Sequence, residues 1–293
     1  MQKLLLVSGN LQGDDTKFNL PWTRCLGHEL HIMRIMLIDM LLKESINQDD
    51  IIVTQEDRKF LYTKIFKNVI SYEEYKKLDK KDYYFIPIVC YSGHLLHSTQ
   101  NLNEFNEINY TIPKKFYTEE LKNLCTKIDY LNLDYDFINN NFIIIHHRFN
   151  QDINKLKKIL EIVKKMSTKI IIFNNNIVEL KNNLNDNSIF YVNNLQVYAS
   201  LLNNENCKLL ISEWSGGGQL SQYTSNCKVI FYYDAYFTLS YKSNLCEKQR
   251  EKDSMESEYI GIDFYDFKSF TNSERLYYKD FNNFIENLES III

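Results

Sequence analysis

The chain has 293 residues, enough for about two domains, and 44% of them are apolar, ample for two buried cores. Its net charge of −4, with both signs interspersed, gives no basic footprint for nucleic acid and no polybasic membrane patch. No apolar stretch approaches the length of a bilayer span, and the start Met1-Gln2-Lys3 runs into a short strand-like segment with no signal-peptide features. Six cysteines, at 25, 90, 125, 207, 227 and 246, lack paired metal-type spacing and read as reduced thiols. A soluble, cytoplasmic protein is expected.

In chain order, the first half reads as strand Lys3 to Ser8, helix Leu26 to Lys43, strand Asp50 to Thr54, helix Arg58 to Asn68 and strand Tyr83 to Val89. A short helix over Thr118 to Lys127 and the polar stretch Asp129 to Asn141 follow, and the domain boundary is expected there. The second half reads as strand Phe142 to His146, helix Ile153 to Met166, strand Lys169 to Phe173, strand Ser188 to Val192, helix Leu195 to Leu202 and strands Lys208 to Ser212 and Cys227 to Tyr232. A last helix covers Lys279 to Ser290, and Asp234 to Arg275 is irregular. The asparagine-rich patches 139–141 and 174–176 read as loops.

Strands alternating with helix-length segments predict an α/β protein with parallel sheets covered on both faces. The expected organisation is two Rossmann-like domains in tandem with an interdomain cleft. They cover residues 1–135 and 136–275, with a terminal helix over 276–293 able to pack back on either domain, the N-terminal one included.

Chemistry concentrates at a few turns. Three of the eight glycines stand together as Gly216, Gly217 and Gly218, after the apolar run Lys208 to Trp214. A strand ending in Ser-Gly-Gly-Gly and opening a helix leaves N–H groups and the positive end of the helix dipole free for a diphosphate. Ser215 adds a hydroxyl, and Glu213 or Gln219 could hold a ribose or base. The alternative is a tight strand-to-helix connection without a ligand. Arg148, following Ile143 to His147, is suited to a forked pair of bonds with phosphate oxygens, or is a surface salt-bridge Arg beside two structural histidines. His28 in Gly27-His-Glu-Leu-His31 could take a proton from an acceptor hydroxyl, or cap and pack its helix. Asp14 and Asp15, in the loop before it, could orient that histidine or be the base. Gly9 and Asn10 after the first strand, and His94 in Tyr91-Ser-Gly-His94, are candidates for acceptor contacts. Asp134 and Asp136 have metal-holding spacing but read better as a solvated linker. The histidine pairs 28/31, 94/97 and 146/147 do not make an evident zinc site.

The run Ser215 to Gln219 resembles the donor-binding turn of the GT-B superfamily, which includes glycosyltransferases and UDP-N-acetylglucosamine 2-epimerases. It departs after Gln219, where the family's acidic residues are replaced by Leu220 and Ser221, so Glu213 would have to substitute. His146-His-Arg148 resembles the strand-His-x-Arg element of fucosyltransferases of that class, with Phe149 and Asn150 in place of its second basic and its acidic residue. Gly27-His28 is similar to the Gly-His turn of UDP-dependent glycosyltransferases. The resemblance implies a glycosyltransferase of carbohydrate biosynthesis, of hexosyl- or fucosyl-transfer type. It would move a sugar from a GDP- or UDP-linked donor to a glycan or other hydroxyl acceptor, with neither cofactor nor bound metal. A sugar-nucleotide epimerase and a non-catalytic nucleotide-sugar-binding protein are the alternatives.

Overall fold

The computed structural model describes residues 3–6, 26, 29–30, 34–79, 84–87, 118–147, 152–166, 168–213, 215–224, 227–232, 270–271, 273–278 and 281–292. The chain divides into two compact units between Asp129 and Tyr130, and the residues from Thr271 on belong to the second. The division lies a few residues ahead of the boundary expected at 135/136.

The first unit is a parallel sheet of β1 (Lys3–Leu6), β2 (Ile51–Thr54), β3 (Asn68–Ser71) and β4 (Tyr84–Pro87), in the order β3-β2-β1-β4 among the described residues. The helix expected over 26–43 is described as α1 (Arg34–Leu42), which buries Ile35, Leu37, Ile38 and Met40. The helix expected over Arg58 to Asn68 does not form. A 3-10 turn over Glu56–Leu61 takes its place, and β3 follows. Phe60, Leu61, Tyr62, Ile65 and Phe66 have helical spacing and are all buried, which is why the segment reads as a helix. Val69 and Ile70 are β-branched and pair with Ile52 and Val53, so the strand wins the last residues of that run. Lys67 N–H to Gln48 O (2.9 Å) and Asn68 Nδ2 to Asp49 O (2.7 Å) fix where it begins. It runs into α2 (Tyr72–Tyr75) through a capping box, with Ser71 Oγ accepting from Glu74 N–H and Glu74 accepting from Ser71 N–H. The short α3 (Glu119–Cys125) is capped by Thr118 as its sequence suggests.

Two buried charges, neither legible in the sequence, organise this unit. Arg34 is fully buried and donates to Leu61 O (3.1 Å), Cys125 O (2.6 Å) and Lys127 O (3.0 Å), tying the 3-10 turn to the end of α3. Glu29, also fully buried, accepts from Thr54 Oγ1 (2.8 Å), Tyr62 OH (2.9 Å) and the Arg58 guanidinium (2.7 Å). A carboxylate with three donors and one of them cationic is the form in which a buried charge is tolerated.

The second unit holds β5 (Phe142–His146), β6 (Lys169–Phe173), β7 (Ile189–Val192), β8 (Cys207–Glu213), β9 (Lys228–Tyr232) and β10 (Arg275–Tyr278), all parallel, in the order β10-β9-β8-β5-β6-β7. Counted from its own first strand this is the order 3-2-1-4-5-6 of dinucleotide-binding sheets. Its helices are α4 (Ile153–Val163), α5 (Ile177–Leu184), α6 (Leu195–Leu202), the single turns α7 (Gly216–Gln219) and α8 (Ser221–Thr224), and α9 (Phe281–Ile292). Ile143, Ile145, Ile170 and Ile172 point to one face and meet Leu156, Ile159, Leu160 and Val163 of α4 with Phe281, Phe284 and Leu288 of α9. The C-terminal helix therefore completes the core of the second unit. Ile144 and Ile171 on the other face are just as buried, so the strands read as continuous apolar runs.

The segment 174–176, expected as a loop, also starts α5, because Asn176 accepts the Glu179 N–H as its N-cap. No helix among the described residues is long and apolar enough to cross a membrane. Cys125, Cys207 and Cys227 are buried free thiols.

Candidate functional site

In a sheet of this order the direction of strand addition reverses between its first and fourth strands, here β5 and β8, and ligands bind outside the carboxyl ends at that reversal. His146 ends β5, and Ser212 stands opposite it in β8. Their side chains are bonded, Nδ1 to Oγ, at 2.9 Å, and both are buried. The chain then passes Ser215 and enters α7, so the glycine turn sits directly over the reversal.

Hydrogen-bond directions follow from which atoms have a proton to give. The Ser212 hydroxyl lies 2.7 Å from Glu213 O, a carbonyl that can only accept, so its single proton goes there. With its proton so placed, Ser212 Oγ turns lone pairs to His146, an arrangement that favours the Nδ1–H tautomer of the imidazole. Ser215 Oγ lies 3.3 Å from the same Nδ1 and shares it as a second acceptor. The ring is held in plane by stacking on Phe173 (5.5 Å, 28°), which stacks on Tyr198 (4.1 Å, 5°). Burial, with Cys207 and Cys227 nearby, pushes the Tyr198 phenol well above its ordinary pKa.

Two of the three glycines are explained by packing. A Cβ on Gly217 would lie 2.5 Å from His146 Nε2, and one on Gly218 would lie 2.3 Å from Ser212 Oγ and 2.8 Å from Phe231 Cε1. The turn lies flat on the strand ends, and only a residue without a side chain allows that approach. The first bond inside α7 runs from Gln219 N–H to Ser215 O (2.9 Å), so the N–H groups of Gly216, Gly217 and Gly218 have no acceptor within the helix. Ser215 is extended (φ −164°, ψ 168°) and its side chain does not cap the helix. Three backbone donors, a hydroxyl and the positive end of a helical turn together suit an anion.

The polar residues around the turn are mostly buried. Glu213 and Gln219 are each 4% exposed, and Gln219 Oε1 has no hydrogen-bond partner among the described residues. Asn174, also buried, donates from Nδ2 to His147 O (2.7 Å), while His147 N–H donates to Phe173 O (3.1 Å), so the ends of β5 and β6 are locked together. Arg275, at the start of β10, donates to Ser221 Oγ (3.3 Å) and ties α8 to the far edge of the sheet. Sequence reasoning missed Ser212 and Asn174, and it gave His146 no role of its own beyond its place in the His-x-Arg element. The available signal was their place at the carboxyl end of an apolar strand.

Of the residues singled out in the sequence, Glu213, Ser215, Gly216, Gly217, Gly218 and Gln219 form this one turn. Gly9, Asn10, Asp14, Asp15, His28, His94 and Arg148 lie outside the described residues. Asp134 and Asp136 are exposed, and Tyr135 between them packs on Phe137 (5.4 Å) and Phe190 (5.1 Å). No group of three or more His, Cys, Asp or Glu placed to hold a metal occurs among the described residues.

No family model matches the chain, and no curated protein does. Among solved structures it is similar to the Escherichia coli ADP-heptose LPS heptosyltransferase II, at 10% identity and a TM-score of 0.52, covering 100% of this chain and 98% of that one. It also matches the E. coli heptosyltransferase WaaC with ADP-2-deoxy-2-fluoro heptose, at 12% identity and a TM-score of 0.47 over 80% and 89% of the two chains. The chain thus shares the α/β fold of the first of these structures, with a parallel Rossmann-like sheet in each of its two units.

Proposed function

We propose that this protein is a nucleotide-sugar glycosyltransferase whose second unit holds the donor diphosphate at Ser215 to Gln219. The observation that carries the reading is the position of the glycine turn over the strand reversal between β5 and β8, where three backbone N–H groups precede the first helical bond. Fixed donors of this kind stabilise the charge that gathers on a departing nucleoside diphosphate without reorganising during the reaction. Arg148, two residues past the end of β5 in the chain, is assigned to the same phosphates. Glu213 or Gln219 holds the ribose or base.

The acceptor belongs to the first unit. Its sheet also reverses between its first and fourth strands, β1 and β4. Gly9 and Asn10 follow β1 in the chain and His94 follows β4, so these acceptor-side residues come after the two strands flanking that reversal. His28, Asp14 or Asp15 takes the proton of the acceptor hydroxyl. Transfer needs no bound metal on this reading.

The heptosyltransferase likeness adds adenine to the guanine and uracil donors suggested by sequence, and it adds heptose to hexose and fucose as the transferred sugar. Thermal unfolding with ADP, GDP, UDP, CDP or dTDP, each with magnesium or EDTA, tests the site. Ligand at 100 times its Kd adds about 2.7 kcal/mol, which moves Tm by several degrees in a chain of this size. A shift with one nucleotide that survives EDTA supports the reading and names the base. A shift that needs magnesium removes the metal-independent part, and no shift with any nucleotide removes the donor site. Incubation with the matching sugar nucleotide alone then separates transfer, which needs an acceptor, from epimerisation, which does not.

A further inference from the structure

We infer that His146 is a positioning residue of the donor site: its Nδ1–H, shared between Ser212 and Ser215, turns the Ser215 hydroxyl proton outward to donate to the ligand diphosphate. The inference rests on the donor reading above for its ligand and on the hydrogen-bond geometry for its mechanism. Nδ1 is the favoured proton donor at this junction because Ser212 has committed its own proton to Glu213 O. Ser215 Oγ accepts from that Nδ1–H at 3.3 Å and so cannot donate back to it. No acceptor for the Ser215 proton occurs among the described residues. A hydroxyl that accepts from an N–H on one side is pre-set as a donor on the other, and the bond it then makes is polarised by the first.

The imidazole also sets the height of the turn. Its Nε2 edge lies where a Gly217 side chain would be, and the ring stacks on Phe173 and Tyr198. His146 thus acts on the ligand through Ser215 and through the turn it supports, without itself having to touch the phosphate.

Two replacements separate the ring's nitrogens. The amide nitrogen of Asn occupies roughly the place of Nδ1, and that of Gln the place of Nε2, while both leave a similar gap in the stack. Dissociation constants of the tightest-binding nucleoside diphosphate are to be measured for the full-length wild type, His146→Asn, His146→Gln, Ser215→Ala and the two double variants, with Tm recorded for each to confirm folding. A hydroxyl bond to a charged phosphate is worth about tenfold or more in affinity. Ser215→Ala is therefore expected to weaken binding about tenfold in the wild type and in His146→Asn, where the donor is restored. In His146→Gln it is expected to change affinity less than about twofold, because the hydroxyl has already lost its orientation. Equal losses in all three backgrounds, or none in the wild type, would overturn the inference while leaving the donor site standing. Nitrogen-15 shifts of His146 in the free protein provide the arm that needs no ligand. A protonated Nδ1 is expected, and an Nε2–H tautomer would overturn the mechanism. Absence of nucleotide binding by the wild type removes the donor reading and the ligand half of this inference together, and the tautomer then decides the remainder.

Discussion

Replacing Gly218 by alanine tests whether the turn over the strand reversal is packed as tightly as the structure requires. The new Cβ would lie 2.3 Å from Ser212 Oγ, 2.8 Å from Phe231 Cε1 and 3.0 Å from Ser212 Cβ, where carbon contacts are comfortable at about 3.5–4.0 Å. Ser212 and Phe231 are both fully buried in adjacent strands, so neither can swing aside. Overpacking of this kind costs about 1–3 kcal/mol. Displacing Ser212 Oγ would also weaken its bond to His146, for about 1 kcal/mol more. Alanine gains about 1 kcal/mol over glycine inside a helix, which offsets part of this. The net expectation is a loss of about 1–3 kcal/mol, read as a Tm lower by roughly 2–4 °C for each kcal/mol. Thermal unfolding followed by far-ultraviolet circular dichroism, without ligand, is the assay. A Tm equal to or above the wild type would mean that helix propensity governs this position and that the close approach is wrong.

Arg34→Met fills a similar volume but leaves the carbonyls of Leu61, Cys125 and Lys127 without their common donor, and about 3–5 kcal/mol should be lost in urea unfolding. An unchanged urea midpoint would show that these carbonyls find other partners. Glu29→Gln leaves Arg58 buried beside a neutral amide and should cost about 3 kcal/mol, whereas a cost within a few tenths would mean the pair contributes nothing. The Ser71 N–H, with Lys59, holds the Glu74 carboxyl at about 2 against an ordinary 4.5, and Lys164, with Ser188, holds Asp186 at about 2 against 3.8. Both are depressed in the folded state, so what they contribute is complete above the ordinary values and is lost as pH falls towards 2. The double variant Glu74→Gln/Asp186→Asn should therefore show a shallower fall of Tm between pH 4.5 and 2 than the wild type, and an identical slope would remove the assignment.

The second unit was far more legible than the first, for a physical reason. Strands buried on both faces, such as Phe142–His146 and Lys169–Phe173, are short unbroken apolar runs with polar ends, and their limits show in the sequence. The first unit instead depends on charges taken inside. Arg34 within an apolar helix and Glu29 beside His28 look like ordinary solvent-facing residues until their partners are known, and those partners lie far along the chain. Arg58 to Asn68 failed because Phe60 to Phe66 carries helical spacing for packing reasons, while pairing with β2 decides the fate of Val69 and Ile70. β10 was missed because Arg-Leu-Tyr-Tyr is short, and only its place beside β9 defines it as a strand. Asn176 was taken for loop material although an asparagine before an apolar run is also a capping signal.

The glycine cluster shows how the structure can change the argument for a candidate site without moving it. Three of the chain's eight glycines standing together after a strand suggested a ligand. The structure gives Gly217 to His146 and Gly218 to Ser212 and Phe231, so those two are accounted for by packing with or without a ligand. Glycine count therefore no longer supports the site; what supports it is position, over the reversal between β5 and β8 and with three N–H groups ahead of the first helical bond. The two explanations predict different variants. Gly218→Ala acts on stability through Ser212 and Phe231, whereas Gly216→Ala should leave Tm near the wild-type value and weaken nucleoside diphosphate binding by bringing a side chain to the approach of the phosphates. If both variants lost stability and neither lost affinity, the turn would be a structural connection, and the donor would have to be sought elsewhere on the chain.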